Sequence, residues 1–278
     1  MKILVIQENG RHEKNRQFRE CFSLQRSFRK LEHECDVWGL GHDNYDTPPL
    51  FDDYDVLINL ENYDQTNWIP DLSKVNCDKY LWSIDAHVRG IEPYKEEFKR
   101  GGYKKILQST LQLVDQDSIW FPNAYDDTLL YPLEVEKTVE VGFCGNINNR
   151  GELISFLKQL YPSFKEDVMV IGSDMVRAIN SYKVHFNCNI GIDINYRSFE
   201  TIGCKTALLT NYNSEYEELG FRDGFNCMLY RNVMELESKL KQLLSDDDLL
   251  ETITSRGYEL AEEHTYLKRC EYLLDLIQ

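Results

Sequence analysis

Short apolar runs of strand length recur along this chain, each followed by a stretch with helical spacing, and the pattern halts once before starting again. In the first half the runs are "KILVIQ" (2 to 7), "CDVWGLG" (35 to 41), "YDVLINL" (54 to 60), "KYLWSI" (79 to 84), "KKILQS" (104 to 109) and "SIWFP" (118 to 122). Strands this short, joined by helical connections, imply a largely parallel sheet covered on both faces. The halt is "FPNAYDDTLLYPLEVEK" (121 to 137), where Pro122 and Pro132 bracket polar residues. The alternation then resumes with "TVEVGFCG" (138 to 145), a helix near 149 to 160, "DVMVIG" (167 to 172), a helix near 175 to 181, "KVHFNC" (183 to 188), a helix in "YRSFETIGC", "TALLT" (206 to 210) and "CMLY" (227 to 230). From Val233 onward Leu236, Leu240, Leu243 and Leu244 form a helical stripe. The expected fold is α/β, with two tandem Rossmann-like doubly wound domains at 1–125 and 138–265, a linker over 126–137 and a C-terminal helix over 266–278. Two such sheets would enclose a cleft.

Several function classes are disfavoured. No run approaches the roughly 18 apolar residues of a membrane span, and "MKILVIQEN" meets a Glu too early for a secretory signal, so the chain reads as soluble and cytoplasmic. Eight cysteines without a CxxC pair fit free thiols rather than a zinc site. A net charge of −16 argues against non-specific binding to nucleic acid, whose affinity comes largely from neutralised phosphates. Residues 11 to 30 run the other way, with seven Arg/Lys against two Glu. On a helical wheel Arg16, Arg19, Arg26 and Lys30 cluster on one side, with Phe18, Cys21, Leu24, Phe28 and Leu31 towards the other. That side is either a solvated outer face or, at its start, a surface that greets an anionic substrate. The acidic, proline-bearing stretch 41 to 55 reads most simply as a surface loop, whose carboxylates could alternatively bind a cation.

Ligands of open parallel sheets sit beyond the carboxyl ends of the strands, and anions favour helix N-termini. After "TVEVGF" comes "CGNINNRGEL", where Gly142 and Gly145 allow close backbone approach and Arg150 opens the next helix. This is either a diphosphate cradle or an ordinary turn. Neither GxGxxG nor GxxxxGK[ST] occurs, which disfavours a nicotinamide dehydrogenase or a P-loop NTPase. In "DINYRSFETIGCK" a helix would align Asp193, Arg197 and Glu200 on one face at i, i+4 and i+7. Glu200, in the first turn or so after the strand, can accept hydrogen bonds from a ribose diol while Arg197 meets phosphate; the alternative is a salt-bridge ladder. Phe199 and Ile202 should point inward, and Gly203 inside the helix signals close packing.

These residues resemble the nucleotide-sugar-dependent glycosyltransferases of the GT-B fold, and most closely the group-1 branch that includes proteins similar to the spore-maturation protein CgeB. The resemblance rests on "VGFCGNINNR", "VMVIG", "DINYRSFETIGCKTALLTNYNSEYEELGF", "GFNCMLY" and "EEHTYLKRCEYLL", covering nearly all of 138 to 276, and more weakly on "LWSIDAHVRG" (81 to 90). It implies that Glu200 binds the donor ribose, Arg150 and Arg197 the diphosphate, Gly145 and Asn146 the phosphate loop, and Gly172, Ser173 and Asp174 the nucleobase. Two features depart from the family pattern. Ile192 stands where the broader retaining enzymes carry a second acidic residue, and Arg150 lacks the Lys that often follows it.

Transfer requires a neutralised leaving diphosphate and a held acceptor hydroxyl. Arg150 and Arg197 would supply the first without metal or other cofactor, the co-substrate being a nucleotide-diphosphate sugar, with a UDP-sugar favoured. Asp85 and His87, ending the strand "KYLWSI", would position or deprotonate the hydroxyl acceptor; a carboxylate there also suits a helix cap. "DAH" as a GT-A metal motif is disfavoured, because the recognisable donor residues are C-terminal. Arg11, His12 and Arg16 would bind an acidic acceptor, whereas His33, His42, His185 and His264 read as structural. Two other functions remain open: a nucleotide-sugar-binding protein without turnover, and a transferase acting on modified DNA bases.

Overall fold

A computed structural model describes residues 1–61 and 68–277. The chain forms two compact units, one of Met1–Asn123 joined by the chain from Tyr266 onward, the other of Ala124–Thr265.

The first unit runs β1 (Lys2–Ile6), α1 (Glu20–Lys30), β2 (Glu34–Trp38), β3 (Val56–Leu60), β4 (Asp78–Ser83), α2 (Ala86–Arg89), α3 (Glu92–Gly101), β5 (Lys105–Gln108) and β6 (Ser118–Trp120). Its sheet is six-stranded in the order β2-β1-β3-β4-β5-β6, and every pair is parallel. The continuous apolar runs explain the centre, since Ile3, Leu4, Val5 and Ile6 of β1 are all wholly buried. Helix α3 has Pro93 in its first turn and stops at Gly102, whose φ of +65° is left-handed. Two expectations need correction. The basic wheel does not form, because Arg19 is extended at φ −69° and ψ 149°; residues Glu13–Phe18 make a separate 3-10 turn and the helix begins at Glu20. Nor is the stretch 41 to 55 only surface, since Tyr45 stacks on Trp38 at 5.5 Å and Phe51 meets the same indole edge-on.

The second unit runs β7 (Val139–Gly145), α4 (Gly151–Leu160), β8 (Lys165–Val168), α5 (Ser173–Ser181), β9 (Tyr182–Phe186), α6 (Tyr196–Gly203), β10 (Ala207–Asn211), α7 (Glu215–Glu218), β11 (Met228–Tyr230), α8 (Val233–Ser245) and α9 (Asp247–Ala261). Its five strands lie in the order β11-β10-β9-β7-β8, again all parallel. Strand β8 sits earlier than the apolar run "DVMVIG" because Met169, at φ +56°, turns the chain out of the sheet. Helix α8 opens on a reciprocal cap: Asn232 accepts from the Glu235 N–H and Glu235 accepts from the Arg231 N–H, each at 2.9 Å. Leu236, Leu240 and Leu243 of the stripe are wholly buried, and Leu244 packs against them from the rim.

The last helix, α10 (Tyr266–Ile277), packs in the first unit. Arg269 donates to the carbonyls of Pro122 and Asn123 at 2.9 and 3.2 Å, and Tyr266 meets Trp82 edge-on. Gln278, the final residue of the expected C-terminal helix, lies outside the described residues.

Candidate functional site

In the second unit the candidate donor residues gather at the carboxyl edge of the sheet. The exposed loop from Asn146 to Asn149 leaves β7 after Gly145, with Asn146 accepting from the Asn148 N–H at 2.9 Å and Asn149 turned to φ +60°. Arg150 closes it as the N-cap of α4. Its Nε donates to the Cys188 carbonyl at 2.6 Å and its Nη1 to the Asn146 carbonyl at 3.0 Å, strapping the ends of β7 and β9 together. No carboxylate among the described residues pairs with it. Burial pulls the guanidinium's pKa down, and Arg197 nearby pushes the same way. Gly142, expected to admit a ligand, instead faces the Tyr182 ring.

Helix α6 begins at Tyr196, so Asp193 is not on its face; it lies buried in the preceding loop. Glu200 accordingly sits in the second turn rather than the first. Arg197 donates from Nε to the Cys144 carbonyl at 2.9 Å and forms an ion pair with Glu200, so one rung of the expected ladder is real. Burial works against the Arg197 charge, yet Glu200 outweighs it and the pKa rises. Glu200 uses Oε2 for this pair and leaves Oε1 without a partner among the described residues. Phe199 and Ile202 are buried as expected, and Gly203 lies so close to Tyr125 that a Cβ would enter the ring's van der Waals envelope. Beneath the helix, His185 accepts from the Cys144 N–H through Nε2 at 3.1 Å and faces Thr201 Oγ1 through Nδ1 at 2.6 Å. Full burial, reinforced by Arg197, drops its pKa to about 3, so it is a neutral structural imidazole. In the loop after β8, Gly172 caps α5 at φ +63°, with Ser173 and Asp174 exposed in the first turn.

In the first unit, Asp85 is the N-cap of α2 but makes no side-chain capping bond; its Oδ2 instead lies 3.4 Å from Arg89. His87 is partly buried, its Nδ1 3.3 Å from the Ile84 carbonyl. Burial raises the Asp85 pKa and lowers that of His87, drawing both towards neutrality. Arg11 and His12 are exposed after β1, and Arg16 is half-buried in the 3-10 turn. Among the described residues, no cluster of three or more His, Cys, Asp and Glu is arranged to hold a metal ion, and no helix is long and apolar enough to cross a membrane.

Residues 150–275 match a protein-family model described as "Glycosyl transferase-like". No curated protein is significantly similar in sequence. Solved structures align over essentially the whole chain. Anabaena HepE in complex with UDP-glucose has a TM-score of 0.72 at 10% identity, covering 100% of this chain and 99% of that one. An alpha-glucosyltransferase in complex with UDP and a 13-mer DNA containing a HMU base has a TM-score of 0.71 at 12% identity, with the same coverage. T4 phage BGT in complex with UDP and Mn2+ reaches 0.66 at 15% identity, covering 100% of both chains. The chain has the GT-B fold.

Two features of this GT-B chain escaped the sequence reading. Glu61, just past β3 at φ +53°, accepts from the Ile84 and Asp85 N–H groups through Oε1, the latter at 2.8 Å, and from the Tyr94 hydroxyl through Oε2 at 2.8 Å. It therefore pins the turn that carries Asp85. Burial first, then the Asp85 charge, raise its pKa to about 7 against those donors. The second is an amide and hydroxyl network under α6. Asn187 Nδ2 bonds Asn195 Oδ1 at 3.0 Å, Asn189 accepts from the Asn195 N–H at 3.0 Å and donates to Tyr216 at 2.8 Å, and Ser198 meets Tyr216 at 2.7 Å. The asparagines of "NCNIGIDIN" were its only visible trace.

Proposed function

We propose that this GT-B protein is a glycosyltransferase that moves a sugar from a UDP-sugar to a hydroxyl acceptor, that it acts in the cytoplasm without a metal, and that it belongs with the CgeB-like branch. The observation that carries the reading is Arg150, a half-buried guanidinium at the carboxyl edge of the second sheet with two backbone acceptors and no carboxylate among the described residues. A charge taken that far out of water calls for an anionic partner, and a diphosphate supplies one. The family match over 150–275 and the UDP or UDP-glucose complexes of the structural neighbours support the same donor class.

Arg150 and Arg197 neutralise the leaving UDP as the glycosidic bond to it breaks. Gly145 and Asn146 bring loop backbone to the phosphates, Glu200 receives the ribose through its spare Oε1, and Gly172, Ser173 and Asp174 flank the base. Asp85 and His87 orient the acceptor hydroxyl or take its proton, and Arg11, His12 and Arg16 bind an acidic part of the acceptor. One neighbour is complexed with DNA; here a net charge of −16 opposes a polyanionic acceptor.

Calorimetric titration of UDP and uridine in excess EDTA tests the assignment. Arg150→Ala is expected to weaken UDP at least about tenfold and leave uridine unchanged, because only the diphosphate meets the guanidinium. Equal losses for both ligands, or UDP binding that disappears with EDTA in the wild type, would remove Arg150 or metal independence from the mechanism.

A further inference from the structure

The basic segment after β1 contains two guanidiniums, Arg16 and Arg19, whose buried Nε atoms make no hydrogen bond among the described residues. Arg16 Nε is shut off from solvent in the 3-10 turn and meets no acceptor among the described residues. Arg19, with a side chain 24% exposed, has the same defect: Nε is buried without a hydrogen bond, and its nearest carboxylate oxygen, Glu20 Oε2, stands 3.8 Å away. That oxygen is already engaged by Gln7 Nε2 at 2.7 Å. Other arginines nearby are served: Arg26 bonds the Gln17 carbonyl at 2.6 Å, and Arg29 bonds the Cys35 carbonyl through two nitrogens. Guanidiniums drawn out of water without an acceptor are costly unless something else supplies the negative charge.

The surroundings hold these two in place. Gly10, at φ +73°, turns the loop after β1 so tightly over Arg19 that a Cβ there would stand 3.2 Å from Nη1. His42 lies alongside, its Nε2 3.0 Å from the Gln7 carbonyl, and burial together with the charges of Arg19 and Arg16 pulls its pKa down. The two guanidinium charges thus disfavour a third on the imidazole. The extended Arg19 follows the 3-10 turn directly, and its N–H donates to the Arg16 carbonyl at 3.0 Å, which keeps the two residues adjacent.

We propose that Arg16 and Arg19, with His42 beside them, form a binding site for a phosphate group, either the free anion or a small-molecule monoester. Two guanidinium forks match a dianion in charge and in donor geometry. A polyanion fits less well, since the chain outside residues 11 to 30 carries −21.

Calorimetry with inorganic phosphate, glucose 6-phosphate and glucose provides the test, run on the full chain and on Arg150→Gln, which removes one of the two anion ligands proposed in the second unit. Phosphate and glucose 6-phosphate are expected to bind both proteins alike, with glucose silent, and Arg16→Gln or Arg19→Gln should weaken both anions at least tenfold. Tighter binding of the ester would identify a phosphorylated ligand, and equal binding the free anion. Arg16→Lys keeps the charge and guards against misfolding; losing the fork should weaken phosphate several-fold. The site is refuted if phosphate fails to bind the wild type, survives in folded Arg16→Gln, or is lost in Arg150→Gln. Duplex DNA binding more tightly than glucose 6-phosphate and abolished by Arg16→Gln would overturn the monoester assignment. The site shares Arg16 with the acceptor end of the proposed transferase and to that extent rests on that reading, but calorimetry of phosphate needs no turnover and so fails or succeeds separately from it.

Discussion

Glu61 joins two strand ends through one carboxylate, and its charge opposes its geometry. The Oε1 that accepts two backbone N–H groups needs only lone pairs, whereas the negative charge is buried beside Asp85. With a pKa raised from 4.5 to about 7, the folded state holds a proton that the unfolded chain has released between those values. This group's contribution is therefore greatest below the unfolded pKa and is lost as pH rises through 7. Glu61→Gln keeps the acceptor oxygen and can donate to the Tyr94 hydroxyl in place of the charge. We expect it to unfold at higher urea than the wild type at pH 8, by up to about 3 kcal/mol, and by much less at pH 5. Urea titrations at the two pH values check this; a stability difference that does not change with pH would show that the charge is not what strains the site.

Helix α6 is held by shape as much as by charge. Gly203 lets it lie against Tyr125, and Phe199 and Ile202 fill the core behind it. Gly203→Ala gains helix propensity but forces the ring aside, so a net loss of about 1–2 kcal/mol is expected, recovered in large part by Tyr125→Leu. A more stable single variant would contradict the packing. Legibility in the sequence followed the same physics. Central strands were readable because β1, β3 and β4 are continuously buried, and α8 because its leucines repeat at helical spacing. Strand β8 carries little strand signal because Lys165, Glu166 and Asp167 are polar and Val168 is exposed at a sheet edge, while the apolar run after it turns away at Met169. Spacing alone puts Asp193 on a helix that starts three residues later, since the asparagine bonds that hold its loop join residues far apart in sequence. Arg150 and Glu200 could be singled out because a strand end and a helix start are local signals. Glu61 could not, for its role exists only once β3 and β4 are neighbours.

At the scale of the whole molecule, all four tryptophans (Trp38, Trp68, Trp82 and Trp120) fall in the first unit, so indole fluorescence reports that unit alone. Helix α10 completes it by burying Tyr266, Cys270, Leu273 and Leu274. Deleting residues 266 to 278 should lower the thermal midpoint seen by tryptophan fluorescence by several degrees, since losing even a few kcal/mol of buried apolar area moves a domain that far. An unchanged midpoint would mean that α10 is dispensable to its sheet. The same arrangement sets an order of events during synthesis. The second unit is complete once Thr265 has emerged from the ribosome, while the first, whose sheet was made earliest, still waits for its last helix. Its strands must remain competent, with the surface that α10 covers open, through the translation of the entire unit between.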